Sequence, residues 1–154
     1  MNSTPAGWPR ISSCLIYSNP RAAIDWLCQA FGFEVRLMIE GEDGAIHHSE
    51  LVYGDGLIMV GGSNRHDSGK EAHQQHQHSP LELHGANTQS LCVFVDDVDG
   101  HCASARNAGA QINFGPKTND YGDDYWTDRT YGAVDLEGHQ WWFMQRLRSG
   151  SDGK

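Results

Sequence analysis

One order of elements runs through this chain twice, and that duplication restricts its fold more than any other feature. Ser12-Ser13-Cys14-Leu15-Ile16-Tyr17 lies over Ser90-Leu91-Cys92-Val93-Phe94-Val95, serine with serine and cysteine with cysteine, and each segment leads into a helical pattern that ends in glycine. The closing segments correspond as well: YGDGLIMVG and LEGHQWWFM each place a tight glycine turn before an apolar strand. An internal duplication of this kind marks two copies of one supersecondary unit. The unit here is a strand, a helix and three strands, so the expected fold is α+β: two βαβββ modules, near residues 10–62 and 87–146, forming curved mixed sheets around a cleft.

The local signals support that order. In the first copy, Arg10 to Tyr17 reads as a strand stopped by Ser18-Asn19-Pro20. Asn19 then suits an N-cap, Pro20 the first helical position and Gly32 the C-cap. Between them Ala23, Ile24, Leu27, Ala30 and Phe31 recur at helical spacing. Strands are expected over Glu34 to Glu40, Ala45 to Tyr53 and Leu57 to Val60, each closed by a glycine-containing turn. In the second copy SLCVFVDD reads as a strand and VDGHCASARNAGA as a helix ending at Gly109. Strands follow over Gln111 to Phe114, Tyr125 to Asp135 and Gln140 to Gln145. Residues 63–89 are polar and without period, and contain His66, His73, His76, His78 and His84; they read as a mobile connector, with 63–86 between the modules.

Charge and cysteine usage exclude several classes. Eleven Lys and Arg against 20 Asp and Glu leave a net charge of −9, which repels phosphate backbones and anionic membrane surfaces, so no nucleic acid and no membrane is expected as a partner. The cysteines at 14, 28, 92 and 102 form no CxxC pair, and reduced thiols of a cytoplasmic protein fit best. MNSTPAGWPR has no apolar h-region, and no run of roughly 18 apolar residues occurs, so neither export nor membrane insertion is expected.

These segments resemble the vicinal oxygen chelate superfamily, which includes glyoxalase, extradiol dioxygenases and bleomycin-resistance proteins. SNPRAAIDWLCQAFGFEV is similar to its first strand-helix segment, QSLCVFVDDVDGHCASARNAGA to the start of its second module, and DRTYGAVDLEGHQWWF to its closing strand pair. The resemblance implies a homodimer, since small members commonly pair. In metal-dependent members, two His or Gln and two Glu on the first and last strands of the modules hold a divalent ion. The corresponding positions here are Ser12, Met59, Ser90 and Trp142, none of which offers imidazole or carboxylate, and the neighbours on either side offer none. No metal and no cofactor is therefore expected.

Strand alternation says what should face the cleft instead. Leu15, Tyr17, Ile58, Val60, Leu91, Val93, Val95, Trp141 and Phe143 share the parity expected under the helices. The other parity carries Ser12, Cys14, Ile16, Met59, Gly61, Ser90, Cys92, Phe94, Gln140, Trp142 and Met144, a mixed, soft and aromatic set suited to a flat or apolar small molecule. The same residues would equally fill a dry core. The segment NDYGDDYWTDRTY adds Trp126 and Arg129 to the candidate binding residues and sets stacking faces among acids, suited to a cationic or planar aromatic ligand. Arg129 has an alternative, pairing with Asp128 or Asp135.

His48 and Glu50 share one strand face and form a candidate proton-transfer pair, or an ordinary solvated face. His73, His76 and His78 read as a solvated stretch whose affinity for nickel or zinc would be adventitious. Cys14 and Cys92 could offer soft thiolates to copper or zinc, or act as small buried apolar groups. The expected function is metal-free binding of a hydrophobic or cationic aromatic small molecule, by Ser12, Cys14, Met59, Ser90, Cys92, Trp126, Arg129 and Trp142. The alternatives are a lyase, isomerase or dioxygenase with a non-standard active site, and a structural or regulatory module with a filled cleft.

Overall fold

A computed structural model describes residues 2–63 and 75–151. It divides into two compact units, Met1–Gly85 and Ala86–Lys154. The first contains β1 (Ser13–Tyr17), α1 (Pro20–Phe31), β2 (Glu34–Glu40), β3 (Ile46–Tyr53) and β4 (Gly56–Gly62), and its mixed sheet has the order β1-β4-β3-β2. The second contains β5 (Leu91–Phe94), α2 (Val98–Asn107), β6 (Gln111–Asp120), β7 (Thr127–Val134) and β8 (Gln140–Arg148), in the order β5-β8-β7-β6. In both sheets the first strand pairs in parallel with the last and the other pairs are antiparallel, so the α+β two-module expectation holds.

α1 starts and stops as its sequence dictates. Asn19 Oδ1 accepts from the Ala22 amide at 3.1 Å, Pro20 occupies a first-turn position that needs no donor, and Gly32 closes the helix at φ 75°, which a Cβ would disfavour. The helix buries Ala23, Ile24, Leu27, Ala30 and Phe31. Each large apolar side chain among them contributes about 1.5–3 kcal/mol. Leu15, Tyr17, Leu51, Ile58 and Val60 are buried with them, which makes this face of the first sheet the core face. α2 is capped by Asp97, whose Oδ1 accepts from the Gly100 amide at 3.1 Å, and it buries Val98, Cys102 and Ala105. Over it Tyr131 and Phe143 stack at 4.9 Å, and the Tyr131 hydroxyl meets His101 Nδ1 at 2.6 Å.

The turn into β8 has a polar hub. Asp135 Oδ1 accepts the amides of Glu137, Gly138 and His139, each at 3.0 Å, while Oδ2 accepts the buried Trp141 indole at 3.0 Å. Asp135 is thus committed to the turn and does not pair with Arg129.

Several boundaries differ from the sequence expectation. β1 begins at Ser13, so Ser12 precedes it, and Ser90 likewise stands before β5. β6 continues past Gly115-Pro116 to Asp120, because it is an edge strand where a proline removes no ladder donor, and a register shift between Phe114 and Lys117 absorbs the irregularity. β7 begins at Thr127, leaving Tyr125 and Trp126 in the preceding turn. In the connector, His66 and His73 lie outside the described residues. Its described part is not patternless: Pro80–Leu83 forms a short 3-10 helix, and Glu82 accepts from Ser63 and from Ser18.

Candidate functional site

Alternation splits the second sheet into two faces. Tyr131, Phe143 and Gln145 turn toward α2, the last accepting from the Val98 amide at 3.2 Å. The opposite, open face carries Cys92 and Phe94 from β5, Trp142, Met144 and Arg146 from β8, and Asp128, Thr130 and Gly132 from β7. Directly paired residues share this face: Cys92 with Trp142, Trp142 with Gly132, and Arg146 with Asp128. Gly132 leaves room for the indole, since a Cβ there would lie 3.0 Å from the Trp142 ring. Phe114 meets that ring edge-on at 5.4 Å.

Arg146 organises the other end of the face. Its Nε donates to Asp128 Oδ1 at 2.5 Å, and its guanidinium lies 5.6 Å from the Phe94 centroid and 5.1 Å from that of Trp126. Asp128 is 5% exposed, so its carboxylate is held out of water and requires that charged partner. The guanidinium, itself planar, joins the two rings as a stacking surface. Trp126 is further braced by Tyr121 at 5.6 Å and Tyr125 at 6.0 Å, while Phe94 remains 55% exposed.

Asp120 and Asp128 of this region are each engaged by an arginine. Asp120 binds Arg148 at 2.9 Å, and the Gly122 amide, Thr127 and Arg148 hold its carboxyl below the usual range. Arg129 is turned away from the open face. Its guanidinium donates to both Asp99 oxygens, at 2.6 and 2.7 Å, and to Thr118 at 3.1 Å, so it ties β7 and β6 to the first turn of α2. That bidentate contact holds the Asp99 carboxyl below its ordinary value and raises Arg129. Its partner is neither Asp128 nor Asp135, and it does not join the aromatic group.

The first sheet also has an open face. Cys14 pairs with Met59, Met59 with Glu50, Glu50 with Leu37, and His48 with Ile39, which places all six on that side. Glu50 is 6% exposed; Arg36 Nη1 donates to its Oε2 at 2.8 Å and His48 Nε2 meets its Oε1 at 3.0 Å. Arg36 sits in a register shift between Val35 and Leu37, a bulge that re-aims its side chain toward Glu50. The Ser12 hydroxyl oxygen is buried and has no hydrogen-bond partner among the described residues, whereas Ser90 is exposed.

Sequence reasoning gave Cys14, Met59, Cys92 and Trp142 one common parity and set His48 and Glu50 on one strand face. The structure puts His48 and Glu50 on the same side of the first sheet as Cys14 and Met59, and adds Arg36 and Arg146, which the sequence reading missed. Arg146 was within reach, because it continues the parity of Trp142 and Met144 along β8. Arg36 was not, because a bulge breaks the alternation that would have assigned its face.

Two βαβββ units, each with one sheet face under its helix and the other open, define a class of paired-module proteins. The chain belongs to the Glyoxalase/Bleomycin resistance protein/Dioxygenase superfamily, whose family model matches residues 10–143. It is similar to an uncharacterised protein of Mycobacterium bovis, 28% identical over 141 residues, covering 91% of this chain and 85% of the relative. Among solved structures it is similar to TioX from Micromonospora sp. ML1, with 30% identity, a TM-score of 0.66 and coverage of 91% of this chain and 100% of that one. Two more distant likenesses show the fold alone. TnmS3, an antibiotic binding protein from Streptomyces sp. CB03234, is 18% identical with a TM-score of 0.59, covering 88% and 93% of the two chains. FosX, a fosfomycin resistance protein of Listeria monocytogenes solved with Mn(II), is 12% identical with a TM-score of 0.54, covering 91% and 88%.

A divalent ion of the kind some family members hold does not fit the residues present. The paired strands put Cys14 beside Met59 and Cys92 beside Trp142, with Ser12 and Ser90 ahead of them. The adjoining carboxylate, Glu50, already has both oxygens engaged. Among the described residues no three His, Cys, Asp or Glu side chains gather in a way that could hold a metal ion. Among the described residues no helix is long and apolar enough to cross a membrane.

Proposed function

We propose that this chain binds a small planar aromatic molecule against the open face of the second sheet, without a metal. The observation that carries this reading is the surface built from Phe94, Arg146 and Trp126, with the guanidinium tethered to the buried Asp128 carboxylate at 2.5 Å. A planar group fixed before binding loses little further freedom when a ligand stacks on it. Trp142 and Phe114 extend the aromatic surface along the sheet. That TnmS3, an antibiotic binding protein, shares the fold agrees with this use of the scaffold.

The electrostatics favour a neutral or anionic aromatic over a cationic one. Asp128 and Asp120 are each paired with an arginine, and it is the Arg146 guanidinium, not a carboxylate, that lies against the Phe94 and Trp126 rings. Calorimetric titration with 2-naphthoate and with 2-naphthylmethylammonium, two flat probes of opposite charge, tests both parts. Naphthoate should bind tighter, and Trp126→Ala should weaken it at least tenfold while the variant stays folded. Tighter binding of the cation would overturn the charge assignment, and unchanged binding by Trp126→Ala would remove the face as the site.

A further inference from the structure

The open face of the first sheet carries a polar group that the aromatic-face reading does not use. Glu50 lies on a sheet face where its register partners are Met59 and Leu37, and both its oxygens are engaged, one by Arg36 at 2.8 Å and the other by His48 at 3.0 Å. Arg36 is itself anchored, its Nη2 donating to the Ala6 carbonyl at 3.0 Å. The carboxylate is thus held in place, and its second oxygen faces the imidazole as an acceptor for the Nε2–H. That fixes the tautomer and leaves Nδ1 as a hydrogen-bond acceptor, the relation in which a carboxylate orients a histidine base.

The surroundings suit a ligand. The His48 side chain is 38% exposed, and its Nδ1 has no partner among the described residues. On the same face Leu37 and Ile39 stand 41% and 48% exposed, an aliphatic surface beside an oriented base. The charged groups facing His48 are Glu50 from its own strand and Arg36 from β2; β4 presents Met59 and Gly61.

We propose that His48, positioned by Glu50 and Arg36, is a proton-accepting group for an apolar small molecule that bears a weakly acidic hydroxyl, a phenol or an enol. In the step, the ligand O–H bond breaks, the proton forms an N–H bond at Nδ1, and the electron pair stays on the ligand oxygen. The products are an imidazolium beside the Glu50 carboxylate and a ligand oxyanion. Glu50 and Arg36 act through His48 and are positioning residues. This site lies in the first unit and does not depend on ligand binding by the second.

4-Nitrophenol tests it, because its ionisation is visible. At a pH where the free probe is mostly protonated, adding the full chain should raise the phenolate band saturably, several-fold above the free level. His48→Gln should abolish the rise and Glu50→Gln should reduce it at least threefold. His47→Gln, whose ring lies beside Gly41 in the turn between β2 and β3, should leave it unchanged. Melting temperatures are measured alongside. If Glu50→Gln does not fold, the ring nitrogen NMR shifts of wild-type His48 decide: a protonated Nε2 with a pyridine-like Nδ1 supports the assignment, and the reverse overturns it. No rise with the wild type, or a rise that survives His48→Gln, would equally overturn it.

Discussion

Replacing Asp135 by Asn keeps the number of heavy atoms in the side chain and removes one acceptor from the turn that launches β8. Asp135 Oδ1 accepts three backbone amides at 3.0 Å, and Oδ2 accepts the indole of Trp141, which is fully buried. An asparagine can keep the three amides on its oxygen, but its NH2 then faces the indole N–H, donor against donor. Losing one charge-assisted bond and stranding a buried donor should together cost about 3 kcal/mol. For a chain of this length that corresponds to a fall in Tm of roughly 6–12 °C. Trp141→Phe removes the donor and replaces the indole by a smaller ring at a fully buried position, and should cost about 2–3 kcal/mol. In the double variant the clash no longer exists, so the total should fall below the sum of the singles by about 1 kcal/mol. Urea denaturation of the four proteins measures the cycle. An Asp135→Asn loss below about 0.5 kcal/mol, or strict additivity, would refute the hub as described.

Gly132→Ala should press a methyl group into the Trp142 ring, which a Cβ would approach to 3.0 Å; near-UV circular dichroism should change and naphthoate affinity fall several-fold, and an unaltered spectrum would contradict the close approach. Ser63→Ala removes the hydrogen bond that does most to hold the Glu82 carboxyl below its usual range, ahead of His78 and Ser18. A depressed carboxyl stabilises the fold above its unfolded value of roughly 4.3 and loses that contribution as pH falls through the folded value. The variant should therefore melt lower at pH 7, by about 1 kcal/mol of stability, and converge with wild type under acid; a gap that persists there would refute the linkage. Iodoacetamide followed by mass spectrometry should label Cys14 and Cys92, which are exposed, well before Cys102, whose burial raises its thiol above the ordinary value. The proposed homodimer should give a light-scattering mass twice 17.1 kDa, and a mass of 17.1 kDa would refute it.

The order of elements was legible because each depends on contacts near in sequence. The Asn19-Pro20 start and Gly32 stop of α1, the 3.6-residue spacing of Ala23, Leu27 and Phe31 between them, and the alternation of Leu15 and Tyr17 are all local signals, and the duplication multiplied their weight. Core parity followed for the same reason, and with it the membership of Trp142 and Cys92 on one face. Where the alternation ran unbroken, reading a face required no knowledge of partners.

What failed were statements about which charged group meets which. Arg129 had acids at 128 and 135 close by in sequence, yet its partner is Asp99, 30 residues away on α2, because an odd position on β7 faces the helix. Asp128 found Arg146 because register sets those two residues side by side on neighbouring strands. Arg36 reached Glu50 through a bulge that no period reveals. By itself the sequence determined the elements, their duplication and the apolar faces, since those follow from backbone propensity and periodic burial. Tertiary structure alone decided the ion pairs, because a long flexible cation takes whichever carboxylate strand register and helix packing bring within about 3 Å, and that choice set the Arg146 guanidinium, rather than the Asp128 carboxylate, against the Phe94 and Trp126 rings.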